Sequence, residues 1–267
     1  MKRTTESDST YRHLDKMSTF SLLTNINKED KTVAHSVSMV IDKIEELVDV
    51  VYDRMAAGGR LFYIGAGTSG RLGVVDASEC PPTFGVTHDR VIGIISGGDG
   101  AIRKAVEFAE DDMGQAEKDL DVYGITSSDI LIGIAASGST PYVVGGITAC
   151  NARGIATGCI VCNTDSIIES ISQYPVVCEV GPEFVTGSTR MKAGTAQKLI
   201  LNMISTAVMI KLGRVKDNKM VDMQLSNDKL VNRGVQMVMD KTNLSYAEAK
   251  LVLLKEGSVR AAIASTE

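Results

Sequence analysis

The sequence predicts an α/β fold: a parallel five-stranded sheet with helices on both faces, plus an N-terminal helical extension and a small C-terminal helical module. Three observations predict it. Five short apolar runs recur along the chain, "RLFYIG", "RVIGIIS", "DILIGIAAS", "IATGCIVC" and "PVVCEV". Segments with helical spacing separate several of them, and this alternation argues for parallel strands joined by helical crossovers. Several runs end in small polar residues, and open α/β sheets bind ligands at the carboxyl ends of their strands.

Each element follows from local pattern. Val33, Val37, Val40, Ile41, Ile44, Leu47, Val48 and Val51 recur at helical spacing, which predicts one helix from Lys28 to Ala57 that Gly58-Gly59 ends. Divisions are expected at residues 1–50 for the extension, 51–215 for the main domain and 216–267 for the terminal module. The helix after "RLFYIG" is expected to stop near Glu79, because Pro81 disfavours the helical region for Cys80. A helix is expected from Ala101 to Leu120. Its buried face would be Ala105, Ala109, Ala116 and Leu120, with Glu110 and Asp112 on opposite borders and Glu107 pointing away. Another helix runs from Pro141 to Arg153. The stretch "GSTRMKAGTAQKLILNMISTAVMIKLG" reads as a long helix that starts near Ser188 or Thr189 and stops at Gly213. In the tail, Ser245 lies three residues before Glu248, a capping box, and Gly257 separates two short helical patterns.

Composition excludes several classes. The 267 residues are 44% hydrophobic and carry a net charge of −5, with basic residues scattered, so no nucleic-acid partner is expected. No apolar run approaches the ~18 residues of a membrane span, and the N-terminus lacks the apolar middle of a signal peptide, so the cytoplasm is the expected compartment. Cys159 and Cys162 have C-x-x-C spacing, but they lie in a strand, where residues three apart point to opposite faces. They read as packed small hydrophobes, and no metal or redox site is expected.

Two loops carry the chemistry. "GAGTSGR", residues 65–71, has the Gly65-x-Gly67-x-x-Gly70 spacing of a dinucleotide loop. The next strand, however, ends in Ser96-Gly97-Gly98 without the acidic residue that holds a ribose. A second loop, "ASGST" at residues 136–140, repeats the strand, polar turn and helix, with Pro141 suited to the first helical turn. Ser and Thr at such positions are also preferred helix caps. Two such loops at strand carboxyl ends favour an anion cradle, in which backbone N–H groups and hydroxyls surround a phosphate.

These motifs resemble a known family. "GTSGR" and "ASGSTPYV" look like the two phosphosugar loops of the sugar isomerase (SIS) fold, which is flavodoxin-like. "GAGTSGRLGVVDASECPPTFG" and "TGSTRMKAGTAQKLILNMISTA" are similar to the N-acetylmuramic acid 6-phosphate etherase family, as are "TTES" and "INKEDKTVAHSV" near the start. The resemblance implies a lyase that removes D-lactate from N-acetylmuramate 6-phosphate, with Glu79 as general acid and Glu110 as general base and without metal or cofactor. A helix C-terminus near Glu79 would favour its protonated form. The implied binding residues are Gly67, Thr68, Ser69, Gly70 and Arg71 in the first loop and Ser137, Gly138, Ser139 and Thr140 in the second. Ser188, Thr189 and Lys192 would close the site. Arg71 is left open between the phosphate and the lactyl carboxylate, and Lys192 between supplying charge there and lying solvated at the helix end. The fold's relatives imply a homodimer. The alternatives are a non-catalytic phosphosugar sensor, like the glucokinase regulatory protein, and an aldose–ketose isomerase.

Overall fold

The computed structural model describes residues 4–266; Met1–Arg3 and Glu267 lie outside the described residues. Two helices open the fold, α1 (Thr19–Ser38) and α2 (Ile41–Ala56), where the sequence predicts one. The chain breaks at Met39–Val40, and both helices still bury one apolar stripe through Val33, Val37, Ile44, Leu47 and Val51. The expected division at residue 50 therefore falls inside α2.

The central sheet follows. Strand β1 (Leu61–Gly65) leads into α3 (Gly67–Phe84), then β2 (Val91–Ile95), the single turn α4 (Gly100–Arg103) and α5 (Gln115–Val122). Next come β3 (Ile130–Ala135), α6 (Pro141–Ala152), β4 (Ala156–Val161), α7 (Ile167–Ile171), β5 (Tyr174–Val177) and the long α8 (Lys192–Lys211). The five strands are parallel in the order β2-β1-β3-β4-β5. Alternate strand residues feed two apolar layers, as a sheet covered on both faces requires. Tyr63, Ile132 and Ile160 join α1, α2, α3 and α8 on one face; Phe62, Leu131 and Val161 join α5, α6 and α7 on the other. Cys162 lies in the first layer and Cys159 in the second, as a period of two dictates. Burial pushes both thiols up, Cys159 to about 11.

The hairpin β6 (Val215–Lys216) and β7 (Lys219–Met220) leads to α9 (Asp228–Met239), α10 (Tyr246–Glu256) and α11 (Val259–Ala264). These pack around their own small core of Val235, Val238, Leu253 and Val259. The Ser245–Glu248 capping box is present, and Gly257 ends α10 at φ 77°.

Helix α3 corrects one expectation. It does not stop near Glu79 but runs through Pro81 and Pro82 to Gly85 at φ 64°. Each proline forfeits an intrahelical bond. Cys80, Pro81 and Phe84 are buried together, and that packing offsets the loss. Halfway along, Asp76 is buried against α8, where its Oδ1 accepts from Ser205 Oγ at 3.0 Å and its Oδ2 has no partner. Burial pushes this carboxyl up from 3.8 to about 6, against the opposing pull of the Ser205 and Tyr63 hydroxyls. The folded state thus holds the proton more tightly than the unfolded state, so stability present below the unfolded pKa is lost as pH rises toward the folded one. Asp76→Asn keeps an acceptor for Ser205 and removes the ionisation. Its thermal midpoint should exceed that of the wild type at about pH 8, and the gap should close toward about pH 4. A variant less stable than the wild type at the higher pH would contradict this assignment.

Candidate functional site

Chain order reverses between β1 and β3, whose paired ends are Gly65 and Ile134. The loops leaving these strands therefore open side by side, and this is the topological switch point where open α/β sheets bind ligands. The first loop is drawn tight by its glycines. A Cβ on Gly65 would stand 2.7 Å from Gly70 N, and one on Gly70 would stand 2.5 Å from Gly65 O. Only a pair without side chains lets α3 start this close to the strand.

The hydroxyls of these loops do not cap their helices. The N-cap position of α3 is Ala66, which has no hydroxyl, and Thr140 at the start of α6 makes no side-chain cap bond. Five other helices take an ordinary side-chain cap, through Ser18, Ser166, Asn227, Ser245 and Ser258, while α2, α4 and α5, away from these two loops, take none. The first-turn N–H groups of α3 and α6 have no intrahelical partner, so both helices present their positive ends to the crevice. Ser139 donates to Ser137 Oγ from its N at 3.3 Å and its Oγ at 3.2 Å, which leaves the Ser137 proton for another acceptor. Ser69 is buried and donates to Gln197 Oε1 at 2.9 Å, a contact that ties the loop to α8. Gly67 and Gly138 hold left-handed turns at φ 52° and 69°.

The third polar stretch is arranged differently from the expectation. Helix α8 begins at Lys192, not at Ser188 or Thr189, because the buried carboxylate of Glu183 takes its first N–H groups. Lys192 N and Ala193 N donate to Glu183 at 2.8 and 2.9 Å. This helix start already holds an internal anion. Lys192 is neither solvated nor free: it is buried, and its Nζ pairs with Glu29 at 2.7 Å. Burial pushes Glu29 up, but Lys192 and the Tyr11 hydroxyl hold it below the ordinary carboxylate range. Ser188 and Thr189 are half-buried in the preceding turn. A Cβ on Gly194 would approach Thr68 Cγ2 at 3.3 Å and Thr189 O at 3.5 Å, so this turn and the first loop meet there.

The acidic candidates part company. No helix spans Ala101 to Leu120: after α4 the chain turns through Phe108 at φ 60°, forms a 3-10 turn at Ala109–Asp111 and restarts as α5. Asp112 accepts from Gly114 N at 2.8 Å, a side-chain turn that competes with helix. Ala116 and Leu120 are buried as expected, but Ala105 is exposed. Ser96 Oγ donates to Ala109 O at 2.6 Å and so fixes the turn against the end of β2. Glu110 then lines a cavity of about 190 Å³ with Gly67, Arg71 and Ser96. Glu107, expected to point away, lines it too. Arg71 is engaged: its Nε and Nη2 donate to Ile102 O and Ala101 O at 2.8 and 2.7 Å, which anchors α4 beside the loop. Glu79 is not among the cavity residues. It is exposed on α3, about 18 Å along the axis from Gly67 at the ordinary rise per residue.

Among the described residues no group of three or more His, Cys, Asp or Glu side chains could hold a metal, and no helix is long and apolar enough to cross a membrane. Sequence reasoning missed Glu183, whose partners are backbone N–H groups at the start of α8, and Glu29 and Gln197, lone polar residues whose importance comes from a partner distant in the chain.

A family model described as the glucokinase regulatory protein N-terminal SIS domain matches residues 39–151. The N-acetylmuramic acid 6-phosphate etherase of Christiangramia forsetii is 64% identical over 96% of this chain and 93% of its own. Those of Porphyromonas gingivalis and Bacteroides thetaiotaomicron are 55% and 54% identical over 98% and 97% of this chain, and 95% and 94% of theirs. Among solved structures, a phosphoheptose isomerase from Francisella tularensis superposes with a TM-score of 0.55 at 14% identity, over 73% of this chain and 100% of that one. One from Neisseria gonorrhoeae gives 0.51 at 14%, over 71% and 97%. Both share the fold.

The contrast between capping and non-capping hydroxyls yields a direct test. Ser137→Ala and Thr140→Ala should weaken phosphosugar binding by at least about tenfold, the weight of one hydrogen bond to a charged group, with little change in thermal midpoint. Ser245→Ala, which removes a true cap, should do the reverse. Calorimetric titration and melting of the three variants decide it, and unchanged affinity in both loop variants would remove the hydroxyls from the site.

Proposed function

The chain belongs to the N-acetylmuramic acid 6-phosphate etherase family, and from that premise we propose how its residues carry the reaction. The substrate is N-acetylmuramate 6-phosphate, the products are N-acetylglucosamine 6-phosphate and D-lactate, and the enzyme is a carbon–oxygen lyase. The single observation that carries this reading is the pair of uncapped, hydroxyl-rich helix starts at the switch point beside a cavity that contains Glu110. The first half is a phosphate cradle; the second puts a carboxylate beside it.

The chemistry needs little more. Opening the sugar ring exposes an aldehyde at carbon 1, which acidifies the proton on carbon 2. Glu110 takes that proton, the electron pair forms the carbon 2–carbon 3 double bond, and the ether bond at carbon 3 breaks. The departing lactate oxygen takes a proton from a general acid; water then adds its hydroxyl at carbon 3 and gives its other proton to that acid's carboxylate, while Glu110 returns its proton to carbon 2. Two carboxyl groups in different protonation states suffice, without metal or cofactor.

Glu79 is proposed as the acid, and its place on α3 sets a condition. Lying about 18 Å along the axis from Gly67 and outside the cavity of its own chain, it would serve the site of another copy. Val75, one turn earlier on the same face, is 53% exposed, an apolar neighbour that a second chain would cover. A homodimer in which each subunit lends Glu79 to its partner is therefore part of the proposal. The cytoplasm is the proposed compartment, because all five cysteines are buried and free.

Release of D-lactate from N-acetylmuramate 6-phosphate tests the reaction, since neither a sensor nor an isomerase liberates it. Glu79→Ala and Glu110→Ala should each be inactive alone. Mixed and allowed to exchange subunits, they should recover up to about a quarter of wild-type activity, because half of the sites in each mixed dimer are intact. No recovery, with exchange verified, would place both carboxyl groups in one chain or remove Glu79 from the chemistry.

A further inference from the structure

The first described residues do not trail away from the fold. Thr5 and Ser9 are buried, although the segment that carries them is nearly devoid of apolar side chains, so hydrogen bonds must hold it. Most converge on Asn163, which follows β4 and is itself buried. Asn163 Oδ1 accepts from Thr4 Oγ1 at 3.0 Å and from Thr5 N at 3.2 Å. Its Nδ2 donates to Thr5 Oγ1 at 2.8 Å and to Ala136 O at 2.9 Å. Ala136 immediately precedes Ser137. One side-chain amide thus grips the N-terminal arm with one hand and the second candidate phosphate loop with the other.

The direction of that grip matters. Ala136 O also accepts from Cys162 N at 3.1 Å, so the carbonyl points toward the β4 side. The peptide is trans, and the N–H of a trans peptide points opposite to its carbonyl. The Ser137 N–H is therefore aimed toward β1 and the first loop, into the crevice. Beyond Asn163 the arm continues to the third polar stretch. Ser9 donates from Oγ to Phe184 O at 2.8 Å and from N to Thr186 Oγ1 at 2.9 Å. The Tyr11 hydroxyl then donates to Glu29, the partner of Lys192, at 3.0 Å.

We infer that Asn163 is a positioning residue for phosphosugar binding, which locks the docked N-terminal arm to the Ser137 loop and thereby sets the aim of its N–H. The inference rests on the proposed use of that loop for phosphate. It assigns no chemistry to Asn163 itself, which acts through the loop.

Three variants of the full chain test it: Asn163→Ala, Asn163→Asp and Thr5→Val. Asn163→Asp keeps an acceptor for Thr5 N but sets an oxygen against Ala136 O. Asn163→Ala and Asn163→Asp should weaken binding of inorganic phosphate and raise KM for N-acetylmuramate 6-phosphate by about tenfold, with kcat within about threefold. Thr5→Val should act in the same direction more weakly. A folded Asn163→Ala protein with wild-type phosphate affinity and KM, whatever its thermal midpoint, would overturn the inference by showing that the amide only stabilises. Should that variant fail to fold, unchanged affinity in Thr5→Val has the same force. If the wild type releases no D-lactate, the proposed reaction falls, while phosphate affinity across the three variants still decides the role of Asn163.

Discussion

Two helices begin side by side at the β1/β3 switch point with no side chain answering their first-turn N–H groups, and the rest of the structure is arranged around that pair of positive ends. The cost of leaving helix starts open is real, because capping groups are ordinarily worth about 1 kcal/mol each. The chain shows that it can supply them: five other helices take a Ser or Asn cap, and α8 takes a full carboxylate from Glu183. Hydroxyls are present at the open ends too, yet they bond sideways, Ser69 to Gln197 and Ser139 to Ser137. The open ends and the reserved hydroxyls together describe a place for an anion that the protein does not itself provide.

The same helix that opens the cradle separates the two catalytic candidates. Because α3 runs unbroken from Gly67 to Phe84, it carries Glu79 away from the crevice, while the turn at Ala109–Asp111 returns Glu110 to it. Gly145 in α6 allows that return, since a Cβ there would stand 1.8 Å from Met113 O. A continuous helix and a tight turn thus place two similar side chains in opposite situations. The proposed exchange of Glu79 between two copies rests on the length of α3 rather than on any special feature of the residue.

Most of the architecture was legible in the sequence, because its signals are local. All five strands are short apolar runs bounded by turns, and each lies where its run predicts. The two candidate loops were legible for the same reason: glycines and hydroxyls stand at strand ends. What was not legible depends on distant partners. Pro81 argues locally for a stop at Glu79, but the burial of Pro81 and Phe84 overrides it. The alanines at 105, 109 and 116 mimic a helix that Phe108 and the Asp112 turn interrupt. Lys192 reads either as a charge for the site or as a solvated helix-end residue until Glu29, far away in the chain, is seen beside it. Asn163 carries no signal in the sequence, and its four bonds to the arm and the loop exist only in the fold.

The central claim is that α3 and α6 are open to an external anion and that α8 is closed by its own. Backbone amide shifts measured during titration with inorganic phosphate read the three helix starts in one experiment. The account predicts saturable shifts at Gly67–Gly70 and at Ser137–Tyr142, and none at Lys192–Gly194. Shifts confined to the start of α8, or absent from both open helices at saturating phosphate, would contradict it.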